Sequence, residues 1–178
     1  MKPCFIIAVV LCMSALCSFA QETKFPTPTG NPKQLFFLQR TQNTNTVVYE
    51  LNIKNEVLDT IAPIHVFWID YAEKSQKEEL TDVQRKFAYG VSVKRSAKDH
   101  YDVRCVADKT VDMELAKGTD EQFHVFTTIN GKRAILSRVY LEIHGGSMFS
   151  PHVDYIELSG VDPETRAEVS EKRLPTKK

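Results

Sequence analysis

The sequence predicts an all-β fold, a single antiparallel β-sandwich or barrel of about ten strands with one short helix. Three observations predict it. Short apolar runs alternating with period two recur along the chain, among them Val47–Ile53, Tyr101–Cys105 and His152–Leu158. Turn formers separate these runs, and Asn130-Gly131 is the strongest such signal, because a tight hairpin needs positive φ at both central residues. One helix start stands out, Thr81-Asp82-Val83-Gln84, whose spacing lets Thr81 and Gln84 cap each other reciprocally.

Met1–Ala20 has the form of a signal peptide. Lys2 supplies the positive start, Phe5–Leu16 the apolar core, and Ser18-Phe19-Ala20 a small-x-small cleavage site before Gln21. Cleavage after Ala20 and soluble export to the periplasm or beyond are expected. Lipidation at Cys17 is the competing reading, but Leu16 stands where a small residue belongs. The apolar run is short for a bilayer span, and no transmembrane segment is expected later. The chain has four cysteines, and three of them (Cys4, Cys12, Cys17) leave with the signal. Cys105 then has no internal partner for a disulfide, and its expected role is a small apolar residue on a strand.

Residues 21–33 form a Pro/Thr-rich lead without periodicity, expected to be an extended linker. A single β domain is expected over residues 34–174, with a frayed tail at 175–178. Leu35–Leu38 opens it. Val47, Tyr49, Leu51 and Ile53 then alternate, and Lys54-Asn55-Glu56 turns the chain into Val57-Leu58. In Ile64–Ile69 both faces are apolar, which implies a strand covered on two sides and a buried Trp68. A polar loop is expected through Glu79. The short helix carries Val83 and Phe87 on one side and stops at Gly90, and Val91 and Val93 restart a strand.

Register can be argued for the hairpins. A three-residue loop at Ala107–Lys109 pairs Cys105 with Val111, Val103 with Met113, Tyr101 with Leu115, and Arg104 with Asp112, keeping like faces together. The turn at Asn130-Gly131 pairs Glu121–Ile129 with Lys132–Ile143. Phe126 then faces Ile135, Val125 faces Leu136, His124 faces Ser137, Phe123 faces Arg138, and Gln122 faces Val139. His144–Pro151 reads as a glycine-containing loop and His152–Leu158 as a strand. Asp162-Pro163 suits a turn or a helix start. The period-two spacing of Ala167, Val169 and Glu171 favours the turn, followed by an edge strand.

The segments HVFWIDYAE (65–73) and QRKFAYG (84–90), with NPKQLFFLQRTQNTNTVVYELN (31–52) and HVDYIELSG (152–160), resemble the uncharacterised domain-of-unknown-function family 4833. That resemblance implies a Bacteroidota envelope protein. It brings no activity, ligand or catalytic residue.

Composition excludes several classes. With 23 basic and 23 acidic residues, no net field points to nucleic acid. None of the five histidines has a recognised zinc spacing. The nearest approach to a metal group is His144, His152 and Asp154, and no metal or cofactor is expected. His65 and His124 are expected to be hydrogen-bonded strand residues. His144-Gly145-Gly146 lacks the G-x-S-x-G element of an esterase, and phosphate-loop and dinucleotide patterns are missing. Lys94-Arg95 and Lys132-Arg133 fit solvated turns. No catalytic residue is assigned, and a hydrolase built from distant carboxylates is the least favoured option. The leading expectation is a monomeric, exported, non-enzymatic β-module of the envelope, binding a protein or a glycan through its loops. The alternative is a calycin-like carrier for a small apolar ligand with an acidic head, held by Arg138, Phe123, Tyr140 and Trp68.

Overall fold

The computed structural model describes residues 25–71, 73–108, 110–147 and 150–175. The expected signal peptide, Cys4, Cys12, Cys17, the start of the lead and the last tail residues lie outside them.

The chain is mostly β, with one short helical segment. The strands are β1 (Gln34–Arg40), β2 (Asn43–Leu51), β3 (Ile53–Lys54), β4 (Val57–Leu58), β5 (Ile64–Asp70) and β6 (Gln76–Glu79), followed by the helical turn α1 (Asp82–Gln84). After it come β7 (Val91–Ala97), β8 (His100–Cys105), β9 (Met113–Lys117), β10 (Phe123–Ile129), β11 (Lys132–Ser147), β12 (Ser150–Val161) and β13 (Glu168–Arg173). One large sheet runs β6-β5-β2-β1-β11-β10-β9-β8-β7, with β12 and β13 added beside β11, while β3 and β4 form a small separate hairpin. The sheet curls into a half-barrel around a core that includes Phe36, Tyr49, Trp68, Tyr101, Leu115 and Leu136.

The sheet is mixed, which corrects the purely antiparallel expectation. β1 pairs with β11 in parallel, Phe37 against Arg138 and Leu38 against Val139. Alternation reports which face a side chain takes, not which way a distant strand runs. β11 is the branch point. Lys132–Ile135 pair with β10, residues 138–141 pair with β1, and the other edge carries β12. The register shifts between Leu136 and Arg138. Ala134 and Leu136 belong to the inner core before this bulge, Val139 after it. The extra residue thus exchanges the two faces of one strand, as a bulge does. It also ends the β10–β11 ladder, so Phe123 does not face Arg138. Phe123 instead pairs with Lys117.

Other elements fall close to expectation. At the turn, Asn130 has φ 51° and Gly131 φ 74°, and Phe126 does face Ile135. Gly131 has open space around the position of a Cβ, so its substitution is opposed by backbone conformation alone. Gly131→Val should lower stability by about 1–3 kcal/mol, read from the thermal midpoint; an unchanged midpoint would contradict the turn. Val103 pairs with Met113 and Tyr101 with Leu115 as expected. The connection is longer than three residues, because β9 starts only at Met113. Arg104 still reaches Asp112 at 3.1 Å.

Two stretches expected as loops are strands. β6 was hidden because its four residues are all exposed and polar, a guarded edge without apolar alternation. The hairpin β11–β12 extends through Gly146 paired with Pro151, where Gly145 and Gly146 take φ of 151° and 86°. Glycine permits the irregularity, so the ladder survives what looked like a loop.

The capping box forms: Gln84 N donates to Thr81 Oγ1, and Thr81 N donates to Gln84 Oε1 at 2.9 Å. The helix then widens into a π turn, Arg85–Tyr89. Gly90 ends it in an extended conformation, and a Cβ there would stand 1.9 Å from the Arg85 carbonyl oxygen. Close approach, not a left-handed cap, requires this glycine. Leu80 and Tyr89 pack into the inner core, and Val83 and Phe87 face solvent. Tyr49 stacks on Phe36 at 4.2 Å and donates its hydroxyl to the Tyr89 carbonyl. Burial raises the Tyr49 pKa well above its ordinary value. Cys105 is free, its thiol pushed up to about 12 by burial and, secondarily, by Asp108.

The described part of the lead, residues 25–33, has no regular structure but is docked. Phe25 lies 5.5 Å from Tyr140, Gln39 Nε2 donates to the Pro26 carbonyl, and Asn31 donates to Glu50 at 2.7 Å. It runs along the outer face, where Phe37, Val48 and Phe67 form a second small core.

Candidate functional site

Strand order brings four strands side by side, β8, β9, β10 and β11, with β12 following. Across their outer face Asp102 pairs with Glu114, Glu114 with Phe126, Phe126 with Ile135, and Ile135 with Val161. Phe126, Ile135 and Ala116 form a shallow apolar floor backed by Val161. Charged side chains surround it.

Arg133 is the hinge of this surface. Its guanidinium lies 3.4 Å from the centre of the Phe126 ring, and Nη2 donates to Glu114 Oε2 at 3.0 Å. Glu114 Oε1 meets His100 Nδ1 at 2.6 Å. Burial acts to raise the Glu114 pKa, but the hydrogen bonds from Arg133 and His100 outweigh it and hold the carboxyl below its ordinary value. Asp102 stands directly opposite Glu114, an arrangement that costs energy between like charges unless cations intervene.

Two clefts open on either side of Arg133 and Phe126. One, of about 510 Å³, is lined by Asp102, Arg104, Asp112, Glu114 and Thr128. The other, of about 240 Å³, lies between the β9–β10 turn and the β12–β13 turn, with Lys117, Asp120, His124, Pro163 and Arg166 around it. The turn geometry builds this second cleft. Glu121 takes φ 59°, and Gly118 N donates to the Gln122 carbonyl. A Cβ on Gly118 would come within 2.8 Å of Asp120 Oδ1 and 2.9 Å of His124 Cδ2, so a side chain there would push this pair aside. His124 Nε2 lies 2.9 Å from Asp120 Oδ2, and the bond lowers the Asp120 pKa. On the other rim, Asp162 accepts from the backbone N–H groups of Thr165 and Glu164, fixing the expected turn and placing Arg166 at φ 60°.

The residues suggested for a carrier do not gather. Trp68 lies in the inner core, where it meets Tyr89 edge-on, and Phe123 packs against the same core. Arg138 and Tyr140 are on the outer face: Arg138 Nε donates to Gln39 at 2.9 Å, and its guanidinium sits 4.9 Å from the Tyr140 ring. Tyr140 donates to Glu142. Arg40 approaches the inner aromatics, 5.5 Å from the centres of both Trp68 and Tyr89, with a hydrogen bond to the Tyr89 hydroxyl. His144 contacts Asp154 at 2.6 Å, with His152 ring-to-ring at 5.7 Å. Among the described residues, no group of three His, Cys, Asp or Glu side chains is arranged to hold a metal ion.

The family described as Domain of unknown function (DUF4833) matches residues 36–172. The chain belongs to that family. The matched span of this DUF4833 member runs from β1 into β13 and so contains both clefts and the strands beneath them, while the docked lead precedes it. No curated protein and no solved structure matches.

A second charged cluster lies on the outer face of β2, β5 and β6. His65 bridges Glu50 at 2.9 Å and Glu79 at 3.0 Å, and Lys77 reaches Glu50 at 3.1 Å. Burial acts to raise the Glu50 pKa, but hydrogen bonds from His65, Asn31 and Lys77 prevail and lower it. A folded pKa below the unfolded one contributes stability above the unfolded value, here near 4.5, that is lost as pH falls through the folded value. Glu50→Gln should therefore cost about 1–2 kcal/mol at pH 7, with the gap to wild type closing below pH 4.5. Urea titrations across that range check it, and a gap independent of pH would contradict the assignment.

Proposed function

We propose that the protein is an exported, non-catalytic module of the bacterial envelope that binds a glycan along the outer face of β8–β11. One observation carries this reading: the two clefts adjoin across four strands, with Phe126 and Arg133 as their shared wall, and together make one grooved surface. The groove offers carboxylates and hydroxyls as acceptors in its larger part, guanidinium donors in both parts and the Lys117 ammonium in the smaller one, the mixture that sugar hydroxyls engage. A protein partner would more naturally seek exposed aromatic and aliphatic anchors. The large exposed apolar side chains, Val57, Ile61, Val83, Phe87 and Leu174, lie outside the groove. The opening Met1–Ala20 pattern supports export, and the resemblance to envelope proteins supports the compartment.

The test is titration of the mature chain with an oligosaccharide panel while amide and side-chain NMR signals are followed. Shifts are expected at Arg133, Thr128, Glu114 and Asp102, and Arg133→Ala should abolish them. A panel without any binder, or shifts confined to another face, would overturn the reading.

A further inference from the structure

The smaller cleft is not charge-neutral, although the chain as a whole is. Lys117, Arg133 and Arg166 line it against one carboxylate, Asp120. That carboxylate already faces His124 at 2.9 Å. The acids that pair with the other cations, Asp99 with Lys117 at 3.5 Å and Glu114 with Arg133 at 3.0 Å, do not line this cleft. They orient the cations from outside, leaving further N–H donors for a guest. Arg166 has no carboxylate within ion-pair distance among the described residues, and its turn presents it at the rim. Four groups able to carry positive charge, from β9, β10, β11 and the β12–β13 turn, converge on about 240 Å³. That is smaller than the roughly 300–1,000 Å³ of sites for whole small molecules, and suits a single charged group of a longer ligand.

Resting on the glycan reading, we infer that this cleft is an anionic subsite, taking the carboxylate or sulfate of an acidic polysaccharide whose neutral units lie over the larger cleft. Planar guanidinium groups recognise either oxyanion by paired hydrogen bonds. The rim position of Arg166 makes the attraction sensitive to salt.

The experiment compares three oligosaccharides of one backbone and length: neutral, carboxylated and sulfated. Each is titrated calorimetrically against wild type, Arg166→Ala and Lys94→Ala. Lys94 is a β7 residue outside both clefts, so it controls for net charge. An acidic ligand should bind wild type at least about tenfold more tightly than the neutral one, a gain of about 1.4 kcal/mol. Arg166→Ala should remove that advantage while leaving neutral binding and thermal stability unchanged, and Lys94→Ala should leave all affinities unchanged. Preference between carboxylate and sulfate identifies the source of the charge, and either preference supports the subsite. Equal affinity for neutral and acidic ligands, or equal weakening by Lys94→Ala, overturns the subsite but leaves the glycan reading standing. Absence of binding by all three overturns both.

Discussion

Replacing Trp68 with alanine should lower the free energy of unfolding by about 3–5 kcal/mol. Only 9% of the residue is exposed, and the indole meets Tyr89 at 4.8 Å in an edge-on contact. Val47 is its ladder partner on β2, itself fully buried. Truncation opens a void beneath the helical segment, where Leu80 and Tyr89 depend on a firm inner surface. It also strips Arg40 of one of its two aromatic walls, leaving a partly buried cation less well accommodated. Urea unfolding followed by far-UV circular dichroism measures the loss; a change below about 1 kcal/mol would place Trp68 outside the cooperative core.

Gly160→Ala should be among the most damaging small substitutions. The added methyl would stand 2.2 Å from the Ile135 carbonyl oxygen and 3.1 Å from its carbon, both backbone atoms of the neighbouring strand β11. Gly160 faces Leu136, the last residue before the bulge of β11. The ladder must separate there, and the bulge that exchanges the faces of β11 loses its partner. A cost at or above the upper end of the roughly 1–3 kcal/mol typical of overpacking is expected. The control is Ser159→Ala one position away. Expression as a folded protein with a wild-type thermal midpoint would show that β12 does not hold β11 this closely.

Much of the fold was legible wherever local chemistry decides it. The capping box, the Asn130-Gly131 turn, the β8–β9 register and the two apolar faces of β5 each follow from a few neighbouring residues. The failures share a cause as well. A hairpin register extended past Ile135 requires that one strand keep one partner, and it sets Arg138 against Phe123. A tertiary partner, β1, takes over at Phe37–Arg138, and no local signal marks the exchange. The same holds for the groove. Arg133 looked like a solvated hairpin residue because its own neighbourhood is polar; Phe126 beneath it and Glu114 beyond it come from two other strands. The β9–β10 register, which sets Glu114 opposite Phe126, is what joins these residues, and the turn that closes it holds Gly118 beneath His124 and Asp120.

The branching of β11 also dictates an order of assembly. Gln39 and Arg138, hydrogen-bonded across the parallel pair, are 99 positions apart. The antiparallel β1–β2–β5–β6 meander needs only short loop closures and can form as soon as its residues are available. The free edge of β1 must then wait for β11, and no earlier strand among the described residues takes that place. A chain delivered N-terminus first therefore passes through a stage with one long apolar edge unpaired, the condition that invites pairing with another molecule. The lead docks on the outer face, on the Gln39 side chain and on Tyr140 of β11 itself, so β11 completes both the edge of β1 and the seat of the lead.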